Sequence, residues 1–381
     1  MRVKRRRTVL AIGPLPPPMN GMTVMTGSAL RALANADDLN IVHLDTSDHR
    51  PIGNVERFDL TNAFLALRHG AESFVAIARN RPRLVYLPIA QGTLGFLRDS
   101  LFFGSARAFR CPTLVHFHGG EFSAFYNQSR PVMRWLIRWC LKSCVGAIVL
   151  GESAAEDLLQ VLPSVPIYIR PNGIVGIPSY VRARHSPENI RVLYVSNLMW
   201  RKGYIDLLRA ASYVIDADPR VTFVVAGGET KHSRSPEARD LINRATETGR
   251  ISFAGEVTGL RKAELFSKAD IFVFPPVRPE GHPLVLLEAM SAGVAIIATD
   301  IGGARETVVD GVTGLLVPAE APYDLAKAII KLATEEELRL SMGSAGRRRF
   351  NEAYSDRAYA LALQSTLATV LGSASELFEA A

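Results

Sequence analysis

The sequence predicts an α/β protein made of two doubly wound units, each with a parallel sheet. Three observations lead there. At 381 residues the chain exceeds what one compact core usually holds, so two domains are expected. Short β-branched runs alternate with helical patterns along its length, as in strands joined by crossover helices. The alternation stops at a polar stretch, 178–189, that has no periodicity, and then begins again.

In the first half, strand runs are read at 7–12, 41–44, 84–87, 113–117, 147–150 and 167–170. Helical patterns fill the intervals, the first starting near Gly21. In the second half the runs are 191–195, 221–226, 251–254, 271–274, 295–298 and 314–317. Helices at 327–334 and 335–349 follow, and 355–379 is one long helical pattern. The expected domains are 1–175 and 189–354, with the helix 355–381 packing back toward the first. In open α/β sheets, ligands bind beyond the carboxyl ends of the strands, so the chemistry is expected in loops of both halves facing a central cleft.

Composition narrows the function classes. Hydrophobic residues are 48% and charged residues 21%, which suits a folded α/β enzyme. The net charge is +7, from 44 Lys and Arg against 37 Asp and Glu, but Arg2, Lys4, Arg5, Arg6 and Arg7 supply five of the positive charges. Without those five, 39 stand against 37, so no broad basic face for nucleic acid is expected. The apolar run 8–12 is too short for a signal peptide and is cut off by the Pro-rich stretch 14–18, so the expected location is cytoplasmic. Cys140 and Cys144 are read one helical turn apart, but no ligand set completes a metal site, and reduced structural thiols are expected.

The most informative segment runs from Pro279-Glu280-Gly281-His282-Pro283 through Glu288 to Met290. It follows a strand and opens a helix near Pro283. The helix-start amides of Leu284 and Val285 favour an anion such as a diphosphate. Glu280 in the loop can bind sugar hydroxyls, and Glu288 in the helix can bind vicinal ribose hydroxyls. Taken alone, the two glutamates would read as a turn residue and a solvated helix residue. Upstream, Asn197, Arg201 and Lys202 lie in a strand-to-helix loop, where Lys202 supplies charge for a diphosphate leaving group. Asp216-Ala217-Asp218 spells a metal-binding triplet but ends a helical pattern just before Pro219, so a turn is expected.

These motifs, in this order, resemble the retaining glycosyltransferases of the GT-B fold, particularly the large family 4. The resemblance rests on the paired glutamates with seven residues between them, then Ser291-Ala292-Gly293-Val294, Gly302-Gly303-Ala304-Arg305-Glu306, and Gly311-Val312-Thr313-Gly314. It implies two Rossmann-like domains clamping a UDP- or GDP-sugar, no metal and no cofactor. Glu280 would orient the sugar, Glu288 the ribose and Lys202 the diphosphate. His118, the second histidine of His116-Phe117-His118, would contact the sugar. Gly21 matches the family's first strand-to-helix turn, where glycine permits close backbone approach to ligand. Gly228 matches a loop that holds the base. Where the family carries a phosphate-binding Arg, this chain has Asn197; Arg201 either replaces that charge or points to solvent.

The expected function is transfer of a sugar to a sugar, lipid-linked sugar or other hydroxyl acceptor, in bacterial polysaccharide or glycolipid assembly. Two alternatives stay open, a nucleotide-sugar hydrolase or epimerase and an inactive nucleotide-sugar-binding subunit. Finally, Arg130, Arg134, Arg138 and Lys142 recur every four residues beside Trp135 and Trp139. That pattern reads either as a solvated helix or as a peripheral contact with anionic membrane lipid.

Overall fold

The computed structural model describes residues 6–17, 19–48, 60–178, 188–230 and 236–379. Of the N-terminal basic arm, Arg2, Lys4 and Arg5 lie outside these residues, as do 179–187 of the polar stretch. The chain divides into two compact units, Met1–Gly173 with Asp356–Ala381, and Ile174–Ser355.

The first unit runs β1 (Arg7–Gly13), α1 (Gly21–Ala34), β2 (Leu39–Asp45), α2 (Leu60–Asn80), β3 (Leu84–Ile89) and α3 (Thr93–Ala108). It continues with β4 (Thr113–Phe117), α4 (Phe122–Gln128), α5 (Pro131–Leu141), β5 (Cys144–Val149), α6 (Glu152–Val161) and β6 (Ile167–Ile169). The second unit runs β7 (Ile190–Val195), α7 (Tyr204–Ala217), β8 (Val221–Ala226), α8 (Pro236–Glu247), β9 (Ile251–Gly255), α9 (Gly259–Ser267) and β10 (Ile271–Phe274). It closes with α10 (Leu284–Ala292), β11 (Ala295–Thr299), α11 (Gly302–Thr307), β12 (Gly314–Val317), α12 (Pro322–Thr334) and α13 (Glu336–Arg349). Helix α14 (Asp356–Glu379) then returns to the first unit.

Each unit holds a six-stranded parallel sheet, ordered β2-β1-β3-β4-β5-β6 in the first and β9-β8-β7-β10-β11-β12 in the second. Crossover helices cover both faces of such sheets, so their central strands are apolar throughout. Every residue of β3, β4, β10 and β11 is buried. In the first unit α14 docks against α1, and its Leu363, Leu367 and Val370 are buried. It is fixed by polar contacts as well: Gln364 donates to the Ala32 carbonyl at 2.6 Å, and Arg170 Nε donates to Thr366 Oγ1 at 2.8 Å.

Three local readings are corrected. Cys140 and Cys144 do not share a helix, because α5 ends at Leu141 and Cys144 opens β5. That strand starts earlier than 147 because Gly146 fits within it; a side chain there would meet the Tyr168 ring at 2.7 Å. Arg7 opens β1, as its run predicts, and is ion-paired with Asp38. Ile174 groups with the second unit, since its amide donates to the Tyr354 carbonyl at 3.0 Å. Asp218 caps the end of α7 and pairs with Arg220 at 2.7 Å, which is the role of a turn residue. Among the described residues no helix is long and apolar enough to cross a membrane.

Packing in the second unit is close where α13 crosses the α10–β11 turn. Gly293 ends α10 with φ of 71°, and a Cβ on Gly343 of α13 would stand 2.2 Å from the Gly293 carbonyl oxygen. Gly343→Ala is expected to lower unfolding stability by about 1–3 kcal/mol in urea titrations, since the backbone cannot yield without moving one helix. Nearby, His282 is buried with its ring 5.1 Å from that of Tyr354. Burial, then the Arg349 charge, pushes its pKa down to about 3. Below the usual histidine range the unfolded chain takes up a proton there that the folded chain refuses, so stability falls as pH drops from about 6.5. His282→Gln is expected to lose less stability than the wild type between pH 7 and pH 5, read from urea midpoints.

Candidate functional site

In the second sheet the strand order reverses direction between β7 and β10, which is where open α/β sheets bind ligands. The loops after these two strands bring Lys202 and Glu280 together. Lys202 ends a 3₁₀ turn, Trp200–Lys202, and its ammonium is ion-paired with Glu280 Oε1. Both side chains are only partly exposed, at 28% and 22%. The ammonium also lies 5.9 Å from the centre of the Phe274 ring.

Backbone contacts fix this meeting. The Val277 amide donates to the Arg201 carbonyl at 3.0 Å, tying one loop to the other. The Tyr194 hydroxyl donates to the Lys202 carbonyl at 3.2 Å. Gly203 has φ of 72°, and a Cβ there would lie 1.7 Å from the Pro275 carbonyl oxygen, so no other residue fits. From the far side, the Gly303 amide donates to the Glu280 carbonyl at 2.8 Å. A side chain on Gly303 would strike the Gly281 oxygen at 1.8 Å. This glycine pair thus supports the loop that carries Glu280.

Pro283 caps α10 rather than occupying its first turn, and no side chain caps this end. The amides of Leu284 and Val285 precede the first backbone bond of the helix, which Leu286 donates to the Pro283 carbonyl at 3.1 Å. Such an end attracts anions. In the second turn Glu288 is largely buried, with 19% side-chain exposure, and pairs with Lys262 of α9. Burial raises the Glu288 pKa, and the Lys262 charge works against that rise. Asn197 and Gly228 are neighbours across the β7 and β8 loops: a Cβ on Gly228 would lie 3.4 Å from Asn197 Oδ1. The Arg201 side chain is exposed.

The first unit holds the other two candidates. The rings of His116, near the end of β4, and His118 lie with centres 4.0 Å apart and planes tilted by 31°, and the Tyr86 hydroxyl lies 2.6 Å from His116 Nδ1. Burial pushes the His118 pKa down to about 4, with Asn172 opposing, so its imidazole is neutral near pH 7. Gly21 opens α1 just after the capping box formed by Asn20 and Thr23, and a Cβ added to it would meet nothing within 4 Å. No protein neighbour therefore requires glycine there.

Sequence reasoning missed Lys262. Its only signal was a lysine four residues before buried Phe266, on the core-facing side of a short helix.

Residues 181–349 match the family model described as glycosyl transferases group 1. Over 233 residues the chain is 28% identical to a phosphatidyl-myo-inositol mannosyltransferase of Mycolicibacterium smegmatis, covering 60% of this chain and 58% of that protein. Over 174 residues it is 30% identical to a D-inositol 3-phosphate glycosyltransferase of Corynebacterium aurimucosum, covering 45% and 39%. The chain thus spans less than two thirds of the length of these curated relatives. Among solved structures, sucrose-phosphate synthase from Thermosynechococcus elongatus superposes with a TM-score of 0.74 at 21% identity, over 97% of this chain and 100% of that one. Anabaena HepE, in complex with UDP and glucose, gives 0.71 at 17%, over 96% and 100%. Fold, motif order and family match agree: the chain has the GT-B fold, and its residues 181–349 are similar to the glycosyl transferases group 1 family.

Proposed function

We propose that the chain is a retaining glycosyltransferase that moves a sugar from a UDP- or GDP-sugar to a hydroxyl acceptor in polysaccharide or glycolipid assembly. The observation that carries this reading is the meeting of Lys202 and Glu280 at the reversal point of the second sheet. An incoming diphosphate competes for the Lys202 ammonium and for the open amides of α10. That competition frees the Glu280 carboxylate to accept hydrogen bonds from sugar hydroxyls. Asn197 and Gly228 fall to the nucleotide end, with Arg201 as a further phosphate contact. Neutral His118 is read as a further sugar contact, and the turn at Gly21 leaves room for ligand. The HepE structures, which hold UDP, support a nucleotide-sugar donor.

In the reaction, the bond from the anomeric carbon to the diphosphate oxygen breaks. The acceptor oxygen bonds to that carbon on the same face, and its proton passes to the departing phosphate oxygen. Lys202 and the α10 amides supply the positive charge that this leaving group needs, so we read the transfer as metal-independent. A panel of UDP-, GDP- and ADP-sugars in thermal-shift assays identifies the donor. With that donor, Glu280→Gln and Lys202→Ala are each expected to lower transfer about 100-fold or more, with chelator leaving the wild type active. Wild-type rates in either variant remove the site assignment, and turnover that needs no acceptor replaces transfer with hydrolysis.

We also propose a peripheral membrane contact through α5. Val132 and Trp135 are exposed beside Arg138 and Lys142, and Trp135 stacks on Trp139 at 6.5 Å. The buried side of the helix, Ile137, Cys140 and Leu141, is already committed to the core. Neighbouring α3, which packs on α5, exposes Leu94 and Leu97. Basic groups around exposed apolar side chains suit an anionic lipid surface. The protein is expected to sediment with phosphatidylglycerol vesicles at low salt and to be released by high salt, with Trp135→Ala weakening the association. Equal sedimentation with neutral vesicles removes the idea.

A further inference from the structure

Each acidic side chain of the candidate site is matched to its own lysine from a different element. Glu280 meets Lys202, and Glu288 meets Lys262. Lys202 already has a place in the proposed reaction, as the group that stabilises diphosphate. Lys262 has none.

The geometry of the second pair is specific. The Lys262 ammonium donates to Glu288 Oε1 at 2.7 Å and lies 2.6 Å from Oε2, which is buried and accepts no hydrogen bond. The pair is mostly shielded, with side-chain exposures of 23% for Lys262 and 19% for Glu288. Around it, Ala263 and Phe266 of α9 and Leu287 and Ala289 of α10 are buried. In such surroundings a lone carboxyl group tends to hold its proton. A protonated carboxyl group donates through one oxygen and loses acceptor capacity, whereas a carboxylate offers two lone pairs on each oxygen. With the ammonium hydrogen-bonded to Oε1 alone, an acceptor site remains on each oxygen. Two acceptors side by side match the two neighbouring hydroxyls of a ribose ring.

We propose that Lys262 is a positioning residue for nucleotide binding, holding the Glu288 carboxylate flat and charged so that its free lone pairs receive the vicinal hydroxyls of a ribose. The proposal rests on the reading of Glu288 as the ribose contact. Lys262 itself does not touch the reacting atoms. Its effect is therefore selective: it governs how strongly the site distinguishes a ribonucleotide from one lacking a hydroxyl.

The test measures binding of UDP against 2′-deoxy-UDP, and of GDP against 2′-deoxy-GDP, by titration calorimetry on the full chain. For the pair that the wild type binds, the ribonucleotide is expected to bind about tenfold or more tightly, as befits a hydrogen bond to a charged group. Glu288→Gln is expected to bring that ratio close to one. Lys262→Met is expected to do the same although Glu288 is untouched, and Lys262→Arg to keep a ratio near that of the wild type. Lys262→Gln, which keeps a donor but no charge, takes the place of the methionine variant if that one does not fold. A lysine that only braces α9 against α10 would lower the melting temperature and weaken both nucleotides by the same factor, leaving the ratio intact. That result overturns the proposal while leaving Glu288 as the ribose contact, provided Glu288→Gln collapses the ratio. A ratio of one in the wild type, or an unchanged ratio in Glu288→Gln, overturns the ribose assignment itself.

Discussion

The candidate site depends on one close approach, that of the β7 loop to the β10 loop in the second unit. An ion pair between two flexible side chains would not by itself hold two loops in register, since surface pairs contribute little once their entropy is counted. Here the backbone does the holding. Gly203 lets the main chain come against the Pro275 carbonyl, Val277 hydrogen-bonds to Arg201, and Gly303 supports Glu280 from the other side. Lys202 and Glu280 are then presented at fixed positions, and their attraction costs no loop ordering. The arrangement belongs to the sheet, because both loops leave adjacent parallel strands at their carboxyl ends.

Both lysine–glutamate pairs are only partly shielded, and this matters for a site that must exchange partners. A fully buried pair would be costly to open, because each charge would be stranded in a low dielectric. A fully exposed pair would be too weakly coupled to hold either side chain in place. At about a fifth to a quarter exposure, the two pairs lie between these limits. In the reaction proposed above, a phosphate would take up the Lys202 charge as sugar hydroxyls reach Glu280, so neither charge would be left alone.

Much of this was legible in the sequence. The parallel strands announced themselves as unbroken β-branched or apolar runs, and 113–117, 221–226, 271–274 and 314–317 are the strands seen. Pro283 marked the start of α10 because its ring tolerates only the beginning of a helix. Other features depend on contacts distant in sequence and left no local trace. Nothing near Gly303 in the sequence marks the Gly281 oxygen that would lie 1.8 Å from a side chain there. Lys262 and Glu288 are twenty-six residues apart, and no periodicity connects two different helices. Cys144 was misread for a similar reason, since the strand it opens is set by pairing with Thr113 and by the Tyr168 ring over Gly146. Within one element the pattern sufficed, and between elements it did not.

The position of α14 has a consequence for synthesis. Its packing surface on α1 belongs to a unit whose other strands and helices are all translated before the second unit begins. On the ribosome, the second unit, continuous from Ile174 to Ser355, emerges complete while the first still lacks its last helix. Until α14 appears, the face of α1 that receives it stays wet, and the first unit remains open to chaperones or to wrong partners. The part of the chain made earliest is therefore the last to close.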